Sequence, residues 1–156
     1  MRYRILGLHP AQFDAIRHQP DDVLAATHAE RHVADAPDAY PCRISLRDAQ
    51  PGDSLILMNH EHLPVNSPYR SRHAIYINEQ SLEQARVDNR VPAQLQRRLL
   101  SVRGFDAGNM ILDDEVVDGK ALEAEIARQL SNPAIAFLHV HFARRGCYAA
   151  RVERLD

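Results

Sequence analysis

The 156-residue chain is 45% hydrophobic and 26% charged, a balance that fits a globular domain and excludes a disordered or fibrous class. Its 19 basic and 21 acidic residues leave a formal net charge of −2, which gives no electrostatic drive toward nucleic acid or anionic lipid. No apolar run approaches the roughly 18 residues of a membrane-spanning helix. The expectation is a single domain over residues 1–156, cytoplasmic, with no membrane or nucleic-acid partner.

In chain order, "RYRILGL" alternates enough for a first strand. "DDVLAATHAERHV" is predicted as a helix, with Asp21 and Asp22 at the end where the helix dipole favours carboxylates. "CRISL" is predicted as the next strand. The turn "AQPGD" then leads into "SLILMNHEH", whose Leu55, Ile56, Leu57 and Met58 describe a central strand covered on both faces. A polar loop, "LPVNSPYRSR", separates this from the strand "HAIYIN". "VPAQLQRRLLSVRGF" reads as a short helix running into a strand. "DGKALEAEIARQLSNP" carries the best helical signal: Asp118 as N-cap and Leu122, Ile126 and Leu130 at four-residue spacing. A hairpin, "FLHVHFARRGCYAARV", closes the chain. These elements make an α+β domain with a largely antiparallel sheet, open or barrel-like, and two or three helices.

The hairpin carries the chemistry. "ARRG" fits a three-residue loop with Gly146 in the left-handed region. That register pairs Ala143 with Cys147, His141 with Ala149 and His139 with Arg151. Side chains alternate across a strand, so His139, His141, Ala143, Cys147, Ala149 and Arg151 are predicted on one face. Leu138, Val140, Phe142, Tyr148, Ala150 and Val152 form the other, the core face. The first is a candidate concavity; its plainer reading is a solvated surface.

A second group of polar residues, His60, Glu61, His62 and His73, surrounds the loop after the "SLILMNHEH" strand. Three chemistries suit the two groups together. Imidazoles of His60, His62, His73, His139 and His141 are candidate ligands for a divalent metal such as zinc. Cys147 is a candidate nucleophile with His141 as its base and His139 as a further acid–base group, although an inert packing cysteine is the commoner outcome. Arg70, Arg72 and Arg151, with Arg43 nearby, are candidates for gripping an anionic small molecule. Solvated surface is the usual fate of such arginines.

"YPCRISLRDAQPGDSLILMNHEH", "SPYRSRHAIYI" and "HVHFARRGCYAARVERL" together resemble the bacterial proteins catalogued as domain of unknown function 1203. The similarity runs from about Tyr40 to the C-terminus. It implies a stand-alone bacterial domain occupying nearly the whole chain, with no activity or catalytic residue to carry over. Two readings follow. One is a small-molecule-binding or enzymatic domain, with or without a metal, whose site joins the hairpin to the 60–73 loop. The other is a structural or interaction module without catalysis, in which the alanine-rich face packs against a second copy as a homodimer.

Overall fold

A computed structural model describes residues 1–155. Its strands are β1 (Tyr3–Leu6), β2 (Glu30–Val33), β3 (Ser54–Leu63), β4 (Ser71–Asn78), β5 (Arg86–Asp88), β6 (Leu99–Phe105), β7 (Ile111–Asp118), β8 (Phe137–Phe142) and β9 (Tyr148–Arg154). The helices are α1 (Asp21–Ala26), α2 (Ala93–Gln96) and α3 (Leu122–Leu130). Six strands make one antiparallel sheet in the order β5-β1-β9-β8-β6-β7, and three make a second in the order β2-β3-β4. The larger sheet ends in β5 and β7 and does not close into a barrel. The fold is α+β, as the alternation of short strands and few helices suggests.

Helix α3 follows a short 3-10 turn, and the Asp118 carboxylate accepts the Lys120 N–H at 2.9 Å. Leu122, Ile126 and Leu130 are all buried, in one apolar cluster with Ile5, Leu100, Val102, Leu138, Val140, Ala150 and Val152 of the six-stranded sheet. The opposite face of that sheet is covered as well. Leu63 of β3 clusters with Phe105 and Phe137, while Ile56, Ile75 and Ile77 of the smaller sheet cluster with Tyr148. Every residue of β8 is therefore buried, because helices lie on one side of it and a second sheet on the other.

Two local expectations are corrected. The helix expected over 21–33 stops at Ala26: His28 takes a positive φ of 56° and the chain turns into β2. Tertiary pairing outweighs helical propensity there, since Arg31 of β2 is anchored on the buried carboxylate of Glu79 (Nε–Oε2 3.0 Å). "CRISL" is not a strand; it makes single bridges, Pro41 to Asp48 and Cys42 to Tyr76, around a bend in which Leu46 has a φ of 53°. The strands β5 and β7 carry no clear sequence signal because, as sheet edges, they are largely exposed and polar. By contrast, β3 is the centre of its sheet, and the helix-then-strand reading of 91–105 matches α2 and β6.

Candidate functional site

The chemistry-bearing residues gather where the β8–β9 hairpin meets the smaller sheet. Gly146 has a φ of 79°, as a hairpin glycine in the left-handed region should. The ladder near the tip, however, differs from the three-residue loop. Phe142, not Ala143, pairs with Cys147: the Phe142 N–H donates to the Cys147 carbonyl at 2.9 Å and the Gly146 N–H to the Phe142 carbonyl at 2.7 Å. His141 then lies opposite Tyr148, and the register shifts before Val140–Ala150 and His139–Arg151 resume. Ala149 is the extra residue of a bulge.

A one-residue slip moves side chains to the other face, and the assignments of Tyr148, Cys147 and the bulged Ala149 change with it, Ala149 joining the apolar cluster. Tyr148 leaves the predicted core set and joins the imidazoles. Cys147 leaves the imidazoles and joins the apolar cluster that contains Phe142.

His139 and His141 are 2% and 1% exposed, so the face expected as a concavity or a solvated surface is an inter-sheet layer. His62 comes down from β3 onto both: ring centroids are 5.0 Å apart for His62–His141 and 6.0 Å for His62–His139. Tyr148 stacks on His62 at 5.1 Å and meets His139 edge-on at 5.0 Å. The His141 Nδ1–H donates to the Gly146 carbonyl at 2.9 Å, which ties the ring to the hairpin turn. The Nδ1 atoms of His62 and His139 are buried with no hydrogen-bond partner.

Desolvation dominates the protonation of all three rings, since burial penalises the charged form. It pushes His139 down to about 2, with His141 and Arg151 adding repulsion. His141 is pushed to about 3 by burial and by Arg103, and His62 to about 4 by burial and by His60. All three are neutral at physiological pH and supply no imidazolium acid there.

The two histidine groups thus meet only in part. His62 joins His139 and His141, whereas His60 packs on Phe13 with ring centroids 5.4 Å apart and pairs across the strand with His73. Among the described residues, no three His, Cys, Asp or Glu side chains are arranged to hold a metal ion. The five-histidine ligand set His60, His62, His73, His139 and His141 is accordingly not assembled. The Cys147–His141 dyad is not formed either, because the slip places the two side chains on opposite faces of the hairpin.

The expected anion grip is also redistributed. Arg70 pairs with Glu61 (Nε–Oε1 2.5 Å), Arg72 donates to the Asn59 side chain, and Arg151 pairs with Glu153 (Nε–Oε1 2.5 Å) and lies 3.7 Å over the Phe137 ring. None of the three is on the walls of the two clefts described next. Instead, an opening of about 920 Å³ lies at the hairpin tip between the sheets. Arg43, Cys147, Phe142, His73, Arg144 and Arg145 are on its walls.

Arg43 is the unusual member. It is 2% exposed, yet its guanidinium meets no carboxylate: Nε–H donates to the Tyr148 carbonyl at 2.8 Å, Nη1–H to the Pro41 carbonyl, and Nη2–H to Cys147 Sγ at 3.0 Å. Burial pulls this guanidinium below the ordinary arginine value, and the sulfurs of Cys147 and Cys42 work against that. Arg43 and Arg98 both sit over the Phe142 ring, at 4.8 and 5.1 Å from its centroid.

Arg98 and Arg97 are neutralised by Asp48 and Asp38. Arg144 and Arg145 are exposed and, among the described residues, make no hydrogen bond or ion pair. A larger groove of about 1230 Å³, lined by Arg86, Arg90 and Glu83, has mostly exposed polar walls, and its one buried carboxylate, Asp48, is already paired with Arg97 and Arg98. The sequence carries no signal that Arg43, one of nineteen basic residues, is fully enclosed, or that Arg144 and Arg145 stand at a cleft rim.

Fold and site together define an α+β domain of two packed antiparallel sheets, with an uncompensated buried cation at the base of a cleft. The chain belongs to the family described as "Protein of unknown function (DUF1203)", whose model matches residues 39–154. No curated protein and no solved structure matches it. No helix among the described residues is long and apolar enough to cross a membrane.

Proposed function

We propose that this chain is a small-molecule-binding domain whose hairpin-tip cleft takes a compact anion bearing a carboxylate or phosphate group. Arg43 carries the reading. A guanidinium has five N–H groups, and Arg43 uses three of them within the protein, one on each nitrogen. One N–H on each Nη is left without a protein acceptor. A buried charge without a counter-charge is expensive, and an anion in the cleft supplies what is missing. Arg144 and Arg145, unpaired at the rim, add attraction and geometric grip. A volume of about 920 Å³ lies within the ordinary range for small-molecule sites. Phe142, Tyr40 and Tyr76 on the walls offer apolar surface to the body of such a ligand.

The test is thermal unfolding in chloride, phosphate, pyruvate, succinate and citrate at matched ionic strength. A ligand at about 100 times its Kd stabilises the folded state by about 2.7 kcal/mol, which raises Tm by several degrees for a domain of this size. At least one of these anions is expected to do so, and Arg144→Ser/Arg145→Ser to weaken the effect. These two side chains are exposed and unpaired, so the double variant folds normally. Identical Tm values in every salt overturn the reading.

A further inference from the structure

The cleft also holds a sulfur. Cys147 is 6% exposed, against 1% for Cys42, and it forms part of the cleft wall whereas Cys42 does not. Cys42 is occupied elsewhere: its Sγ lies 3.6 Å from Ser81 Oγ and accepts the Asn78 N–H at 3.3 Å. Cys147 Sγ accepts a single bond, from Nη2 of buried Arg43 at 3.0 Å. A guanidinium donating to sulfur can support negative charge as it develops there during attack, a setting in which cysteines act as nucleophiles.

The same guanidinium keeps free N–H groups, and the rim arginines are unpaired. A ligand's anionic group and the Cys147 sulfur therefore share one small space. Proximity of this kind turns a slow bimolecular encounter into a favoured one.

We propose that Cys147 is a nucleophile toward small carboxylate-bearing carbon electrophiles that bind in this cleft; the inference rests on the anion-binding reading above. The sulfur attacks the electrophilic carbon, an S–C bond forms as the bond to the leaving group breaks, and the leaving group departs with the electron pair. The thiol proton passes to solvent, and nothing is oxidised or reduced beyond this displacement. His141 takes no part, since it faces the other side of the hairpin and donates to Gly146.

The probes are iodoacetate and iodoacetamide, equal in reach and reactive carbon but different in charge. Folded wild-type protein is treated with each, and alkylation of Cys147 and Cys42 is followed by peptide mass mapping. Cys147 is expected to react with iodoacetate faster than with iodoacetamide by roughly tenfold or more, as charge-lined clefts raise on-rates by that order. Cys42 is expected to stay unmodified while the protein is folded. Arg144→Ser/Arg145→Ser should lower the ratio of the iodoacetate rate to the iodoacetamide rate.

Failure of either part is separable. If Cys147 reacts with neither reagent while anions still raise Tm, the nucleophile is refuted and the anion site stands. If Cys147 reacts equally with both and no anion raises Tm, anion selection fails and the proposal falls with it.

Discussion

The imidazole layer makes folding strongly dependent on pH. His62, His139 and His141 are held at about 4, 2 and 3 in the folded protein, against an ordinary 6.5. A base whose folded value is depressed takes up protons first in the unfolded chain. The stabilisation is therefore complete above pH 6.5 and is lost as pH falls below it.

At pH 5 each unfolded imidazole gains roughly 2 kcal/mol from protonation, so the three together remove roughly 6 kcal/mol. That is comparable with the whole stability of a typical domain, about 5–15 kcal/mol. Urea unfolding followed by far-UV circular dichroism at pH 7.5, 6.5, 5.5 and 5.0 measures the slope. His139→Phe isolates one ring, because Phe105, Phe137 and Tyr148 surround that position with centroids 5.0–5.2 Å away and accept an aromatic replacement.

The variant also removes an orphaned Nδ1. It should equal or exceed wild-type stability at pH 7.5 and lose roughly 2 kcal/mol less on moving to pH 5. Parallel pH profiles for the two proteins, or a flat wild-type profile, would refute the reasoning.

Two further outcomes concern the frame that holds the site. Glu79 is 3% exposed, accepts from Arg31, Ser54 and the His18 N–H, and is held down at about 2, first of all by the Arg31 hydrogen bonds. Its contribution is fully present above pH 4.5 and fades as pH falls through about 2. Glu79→Gln should therefore cost roughly 3 kcal/mol at neutral pH and lower Tm by several degrees in a calorimetric scan; an unchanged Tm would show that the network is inert. Gly7→Ala would drive a Cβ into the Ile44 carbonyl oxygen, with the Arg43 carbonyl at 2.9 Å. Because the Leu8 N–H donates to that Arg43 carbonyl at 2.7 Å, backbone here has to shift around the buried guanidinium. Loss of both stability and the anion-induced Tm rise is expected, and a variant that keeps both would show that the Arg43 segment is not fixed by this contact.

Much of the fold can be read from local pattern because local pattern causes it. Leu122, Ile126 and Leu130 share a helical face whatever they pack against, Asp118 caps whatever turn follows it, and Gly146 permits the positive φ that a tight hairpin needs. Composition and the sparse helical signals were likewise enough for an α+β domain, and the three quoted motifs for its family. What sequence periodicity could not decide is which surfaces meet. Alternation along β8 separates His139 and His141 from Leu138 and Val140, but it is silent on whether the polar side faces water or a second sheet.

The tertiary structure decided that, and with it the chemistry. The smaller sheet covers the imidazoles and holds them neutral. The slip at the hairpin tip exchanges Tyr148 and Cys147, and the bend that replaced the expected "CRISL" strand carries Arg43 inward to the sulfur. Each of these depends on contacts between residues far apart in the chain, such as Arg43 with Cys147 or His62 with His141. Their free energy comes from burial that no local stretch contains by itself.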